Sequence, residues 1–115
     1  MEVQFHEKLK IKMDTFCHLI YKITRNFPKD EVYGITSQLR RAALSVILNY
    51  IEGFARKKSK VNRNFLEISY GSLKEVKYLL YFTLKEELLS KEDYKKSMKL
   101  AEEIGAMLWK TMEKL

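Results

Sequence analysis

Cys17 and His18 are the first side chains in the sequence that could do covalent chemistry, as nucleophile and base. Their adjacency argues against it. Neighbours on a helix point about 100° apart, whereas such a pair must share a hydrogen bond. Cys17 is therefore expected at the edge of a core and His18 on the surface. A di-iron bundle needs Glu-x-x-His pairs facing inward, but Val3 stands three residues before His6, and Thr15 before His18. No His-Glu-x-x-His, Cys-x-x-Cys, glycine-rich phosphate loop or Walker sequence occurs. Glu52, set among Asn49, Ile51, Gly53 and Phe54, suits capping or pairing with a basic residue better than acid–base work. Neither cofactor, metal nor catalytic residue is expected. The chain reads as an assembling or binding protein rather than an enzyme.

Charge offers a different chemistry. Arg56, Lys57, Lys58, Lys60 and Arg63 put five cations into eight residues with no acid among them. Residues 1–63 hold 13 Lys and Arg against 6 Asp and Glu, and residues 64–115 hold 9 against 9, so the first half carries the whole net charge of +7. Such a run fits phosphate groups, and an oligomer would repeat it. It also fits a structural role, because cations are favoured at the negative end of a helix. RNA, DNA and anionic lipid are all compatible partners. No aromatic strand or recognition-helix code supports base-specific readout. Lys8, Lys10, Lys12, Lys22 and Arg25 either extend the patch or form a basic amphipathic surface helix.

Long helices must position these residues. The chain has 115 residues, 46% of them hydrophobic, but only four Gly and one Pro, too few turn formers for an all-β domain. One domain over residues 1–115 is expected. Phe5, Leu9, Met13, Phe16, Ile20 and Ile23 recur at steps of three and four and predict a first helix from near Val3 to Thr24. Pro28 breaks it and begins a short turn, and Thr36 or Ser37 offers a cap for a second helix over Gln38–Arg56. In that helix Leu39, Ala43, Val46, Tyr50 and Phe54 mark the buried side, widened by Ala42, Ile47 and Ile51. Ser59 is the expected cap of a third helix reaching about Leu89, roughly 28 residues and about 42 Å long at 1.5 Å per residue. Ser90 caps a fourth, with Glu92 and Asp93 at its positive end. Its stripe runs Tyr94, Met98, Ala101, Gly105, Leu108, Met112 and Leu115, with Leu100, Ile104 and Met107 as a second row. Short connections make the fold class all-α, an antiparallel up-down four-helix bundle. Its register places Ser45 opposite Gly71 and Ser72, and Arg41 near Glu75.

Val76–Leu84 is apolar nearly all round, more than the stripe about 100° wide that one packed side needs. Tyr78, Tyr81 and Phe82, with Trp109 among charges on the fourth helix, are the expected oligomer interface. Single Cys17 rules out an intramolecular disulfide, Glu2 and His6–Lys12 interrupt any apolar leader, and Val76–Leu84 contains Lys77 and is too short to span a bilayer. A cytoplasmic setting is expected, with no membrane partner.

The blocks Phe27-Pro28-Lys-Asp-Glu31, Tyr33-Gly34-Ile-Thr-Ser-Gln38-Leu-Arg-Arg41-Ala-Ala43, Asn49-Tyr-Ile-Glu52-Gly53 and Phe65-Leu66-Glu-Ile68-Ser-Tyr-Gly71-Ser72-Leu73-Lys-Glu75 carry a resemblance over nearly the whole chain. It resembles the small four-helix-bundle proteins encoded within intervening sequences of bacterial 23S ribosomal RNA genes. It is distantly similar to the accessory bundle protein of diversity-generating retroelements. The resemblance implies a ring-shaped homopentamer with a link to ribosomal RNA; another protein as partner is the alternative. Family members usually carry a proline and a small polar residue where this chain reads Ser45-Val-Ile-Leu-Asn49, and Ile-Ala-Glu-Gly where it reads Tyr50-Ile51-Glu52-Gly53. A straighter second helix, and more bulk at the close helix approach from Ile51, are the expected consequences.

Overall fold

The computed structural model describes residues 2–115. Helices α1 (Glu2–Thr24), α2 (Ser37–Phe54), α3 (Ser59–Lys85) and α4 (Lys91–Glu113) form an up-down bundle 43 × 24 × 18 Å in extent. Leu9, Met13, Phe16 and Ile20 of α1 are fully buried, and Leu39 and Val46 of α2 join them. Leu66, Leu73, Val76 and Leu80 of α3 and Ala101, Ile104 and Leu108 of α4 complete the core. Burying a side chain of this size contributes about 1.5–3 kcal/mol, which is why the stripe spacing decides which helix faces turn inward.

The helix ends depart from the sequence reading in instructive ways. Pro28 opens a single 3₁₀ turn over Lys29–Glu31, with the Glu31 N–H donating to the Pro28 carbonyl at 3.0 Å. A π-helical turn over Val32–Thr36, broken at Gly34, then feeds α2. Thr36 is itself helical and makes no side-chain cap; its Oγ1 is buried without a hydrogen-bond partner. Ser59 is not a cap either, for Lys58 holds that position in extended geometry with no side-chain bond. Helix α3 stops at Lys85 rather than Leu89. Glu87 takes a positive φ of 62°, and the N–H groups of Glu87 and Leu88 donate back to the Leu84 and Thr83 carbonyls at 3.1 and 2.9 Å. That left-handed reversal satisfies end carbonyls with Glu where Gly is usual. Ser90 caps α4 as expected, its Oγ accepting from the Asp93 N–H at 3.1 Å.

Register between α2 and α3 is fixed by hydroxyls. Ser45 and Ser72 share a 2.7 Å hydrogen bond, and Ser69 Oγ donates to the Val46 carbonyl at 2.6 Å. Gly71 does not lie in this seam. It is exposed, and a Cβ built on it would meet nothing within 4 Å. The close approach belongs to Gly53, where a Cβ would lie 3.1 Å from Leu66 Cδ2 and 3.3 Å from the Asn62 carbonyl oxygen. Ile51 turns away from the seam and is 46% exposed, so it adds no bulk there, and Phe54 is also exposed rather than core. Leu115, the last residue of the fourth stripe, is exposed, and Ile104, placed in its second row, is fully buried. Arg41 and Glu75 form no ion pair among the described residues. Helix α2 is unbroken from Ser37 to Phe54, in keeping with the missing proline.

Candidate nucleic-acid interface

An up-down bundle gathers the start of α1, the end of α2, the start of α3 and the end of α4 at one end. The run from Arg56 to Arg63 lies there, and the two arginines are already engaged. Arg56 pairs with Glu52 at 2.8 Å and lies over the Phe65 ring at 5.1 Å. Arg63 Nη1 donates to the Met112 carbonyl at 3.3 Å, closing the negative end of α4, and Nε reaches Glu67 at 3.7 Å. Lys57, Lys58 and Lys60 are exposed and join no ion pair among the described residues. The expected structural partner of Glu52 is therefore Arg56.

Two further cations reach this end from a half of the sequence that is neutral overall. Lys110 of α4 and Lys114, which caps its end, line a cavity of about 410 Å³ together with Phe5, His6, Phe54 and Asn62. The His6 ring meets Phe54 edge-on at 4.1 Å, and its Nδ1 shares a 2.8 Å hydrogen bond with the Tyr50 hydroxyl. Burial first, and the Glu7 carboxylate second, push the Tyr50 hydroxyl well above its ordinary range, so it stays protonated. Asn62 Oδ1 is buried and unpartnered. Sequence periodicity could not place Lys110 and Lys114 here, since it takes the bundle to bring the ends of α2 and α4 together.

The lysines of α1 do not extend this patch as one stripe. Lys10 pairs with Glu7 at 3.2 Å and Lys12 with Glu103 at 3.0 Å. Lys22 lies instead along a groove between α1 and α4, with Lys96, Lys99 and His18, over Leu19 and Leu100. His18 is exposed and 3.3 Å from Asp14, and Cys17 is buried, its thiol pushed up by that burial first and by Asp14 second. Among the described residues no three His, Cys, Asp or Glu side chains gather as metal ligands would.

The four aromatics expected at an interface fall into two groups. Tyr78, Tyr81 and Phe82 lie exposed along α3, with the Tyr78 ring 6.5 Å from Tyr81 and 6.3 Å from Phe82. Trp109, 49% exposed, rests on Tyr70 at 5.5 Å. Tyr70 precedes Tyr78 by eight residues, about 12 Å along a helix. Three exposed apolar residues of α2, spaced four and three apart, add a stripe: Leu44 and Leu48, which the sequence reading missed, and Ile51, which it expected to be buried.

A family model described as 23S rRNA-intervening sequence protein matches residues 7–110. The chain belongs to that family. Among solved structures, a protein with unknown function from the S23 ribosomal protein family of Bacteroides thetaiotaomicron has the same fold, with a TM-score of 0.81 at 22% identity. The match covers 90% of this chain and 97% of that one. Comparison with curated proteins gives no match. Among the described residues no helix is long and apolar enough to cross a membrane.

Proposed function

We propose that this member of the intervening-sequence family is a non-enzymatic, homo-oligomeric bundle that associates with RNA through phosphate contacts at its basic end. The observation carrying the reading is the trio Lys57, Lys58 and Lys60, exposed and outside every ion pair described, while both flanking arginines are held by the protein. Exposed lysines of this kind are available to replace counterions on a polyanion. The family's name, tied to 23S rRNA, favours RNA over other polyanions. A ring of five copies, as the family resemblance implies, would repeat the trio and multiply its effect. A cytoplasmic setting accompanies this reading.

Salt dependence tests it. Affinity for single-stranded RNA should fall linearly on a log–log plot, with a slope of about −0.7 per phosphate contact. Replacing Lys57, Lys58 and Lys60 together by Gln should weaken binding to all sequences alike and flatten that slope, leaving the thermal melt nearly unchanged. Retention unaffected by the triple change would move the contact elsewhere. No retention at low salt would favour the second reading, a scaffold whose protein partner docks on Trp109. That reading rests on the groove of about 410 Å³ between α3 and α4 in which Trp109 and Tyr70 sit beside Lys74 and Lys77.

A further inference from the structure

The cavity at the basic end joins three chemistries that a plain phosphate contact does not need. Its walls are aromatic, its rim is cationic, and an unmet acceptor lies covered behind its lining. Phe54 is 43% exposed and Phe5 half-buried, so ring surface is open to a guest. His6 is locked between Tyr50 and Phe54 and braces that wall. Lys110 of α4 and Lys114, the residue just past its end, lie four residues apart, and neither joins an ion pair among the described residues. Asn62 Oδ1 lacks a donor. The volume of about 410 Å³ lies within the range of small-ligand pockets.

A simple anion would use the lysines and waste the rings. An acyl chain with a carboxylate would use rings and lysines but bring no N–H for Asn62. A nucleotide supplies a flat ring, N–H donors on its base edge and a phosphate. We infer that this cavity receives one unstacked nucleotide of a single-stranded RNA, its base against Phe5 and Phe54 and its phosphate on Lys110 and Lys114. The inference rests on the RNA reading above and deepens it: the exposed trio Lys57, Lys58 and Lys60 holds the continuing strand, because Phe54 and Asn62 flank that turn on either side. Asn62 Oδ1 has no access to solvent, so a base reaches it as the neighbouring side chains shift aside. Reading at this site is tolerant of sequence, as stacking on aromatic rings is.

Fluorescence anisotropy with the full chain tests this. A labelled uridine octamer is compared with an octamer of abasic ribose phosphates at one low salt concentration. The native protein should bind the uridine strand at least about tenfold more tightly, the scale of one base stacked on aromatic side chains. Phe54→Ala and, separately, Asn62→Leu should bring that ratio towards one while leaving abasic binding in place. Asn62→Leu keeps the test decisive if loss of the Phe54 ring loosens the bundle. Equal binding of both octamers by the native protein would overturn the cavity assignment and leave the phosphate reading standing. Binding of neither octamer would overturn the phosphate reading, and this inference with it. Free uridine monophosphate binding as tightly as the octamer would overturn the strand as the source of the nucleotide.

Discussion

Arg40 ties α2 to the end of α1 through three contacts. Its Nε donates to Thr24 Oγ1 at 2.9 Å, one Nη donates to the Tyr21 carbonyl at 3.3 Å, and the guanidinium lies 4.6 Å over the Tyr21 ring. The Tyr21 carbonyl belongs to the last turn of α1, where backbone acceptors run short of donors, and Thr24 Oγ1 itself donates to it and to the Ile20 carbonyl. Arg40→Ala removes the outer donor of this network and is expected to destabilise the protein by about 1–3 kcal/mol. Arg40→Lys should restore only part of that, because a compact ammonium lacks the planar fork with which one guanidinium spans Thr24 and the Tyr21 carbonyl while stacking on the Tyr21 ring. Urea unfolding of both variants decides it; equal midpoints for native and Ala proteins would remove Arg40 from the fold's support. In the sequence this arginine is one cation of an Arg-Arg pair. Its neighbour Arg41, which the register places near Glu75, is exposed and joins no ion pair among the described residues. Residue type was legible at this position, and partner was not, since the partner lies on another helix.

The α2–α3 hairpin illustrates how spacing sets the register but not the contact surface. Ser45 against Ser72 follows from counting residues back from the turn at Lys57–Ser59. Which small residue meets the facing backbone does not, because a step of one residue turns the side chain by about 100°. Gly71, beside Ser72, consequently points outward, and Gly53 is the tight position. Gly71→Ala should therefore raise stability by about 0.5–1 kcal/mol, the ordinary gain of Ala over Gly in a helix. Gly53→Leu should lower it by about 1–3 kcal/mol by overpacking against Leu66 and the Asn62 backbone. Thermal melts in which the two substitutions exchange signs would mean that the helix faces are assigned wrongly. Helix number and order were legible from periodicity, and so were the buried stripes apart from Ile51, Phe54 and Leu115, which are exposed. Helix ends were less so: the α3 stop at Lys85 depends on Glu87 adopting a left-handed conformation that its side chain does not advertise.

At the scale of the molecule, the accessible surface is 7615 Å², whereas a compact monomer of 13.7 kDa should expose about 6,600 Å². The surplus reflects an elongated bundle with apolar residues left outside, among them Leu44, Leu48, Ile51 and Ile68. It is comparable with the roughly 800 Å² that each partner contributes to a stable interface. Sedimentation equilibrium at micromolar protein should give a multiple of 13.7 kDa, with five copies expected. Leu48→Glu should shift the mass towards one copy while leaving the helical circular dichroism intact, since Leu48 is 55% exposed in the single bundle. A native protein sedimenting as a clean monomer would remove both the ring and the repeated basic patch. Leu44 and Leu48 of the α2 stripe escaped the sequence reading because they lie outside the apolar run Val76–Leu84 that draws attention first, and Ile51 was assigned to the wrong side of its helix.

The reversal at Glu87 and the cap at Ser90 have an electrical consequence. Residues 85–93 hold Glu86, Glu87, Glu92 and Asp93 against Lys85 and Lys91, while residues 56–63 hold five cations and no acid. Helix α3, whose 27 residues span about 40 Å, keeps the two turns apart. The α3–α4 turn is thus negative and the α2–α3 turn strongly positive, but Lys22, Arg25 and Lys29 lie at the same end as the former, so the contrast belongs to the α2–α3–α4 side and not to the whole rod. A polyanion approaching that side is drawn to the Lys57 turn and pushed from the other, which favours one orientation on contact. Oriented capture of this kind speeds association far more than it slows release, and it fades once added salt shortens the Debye length to a few ångströms.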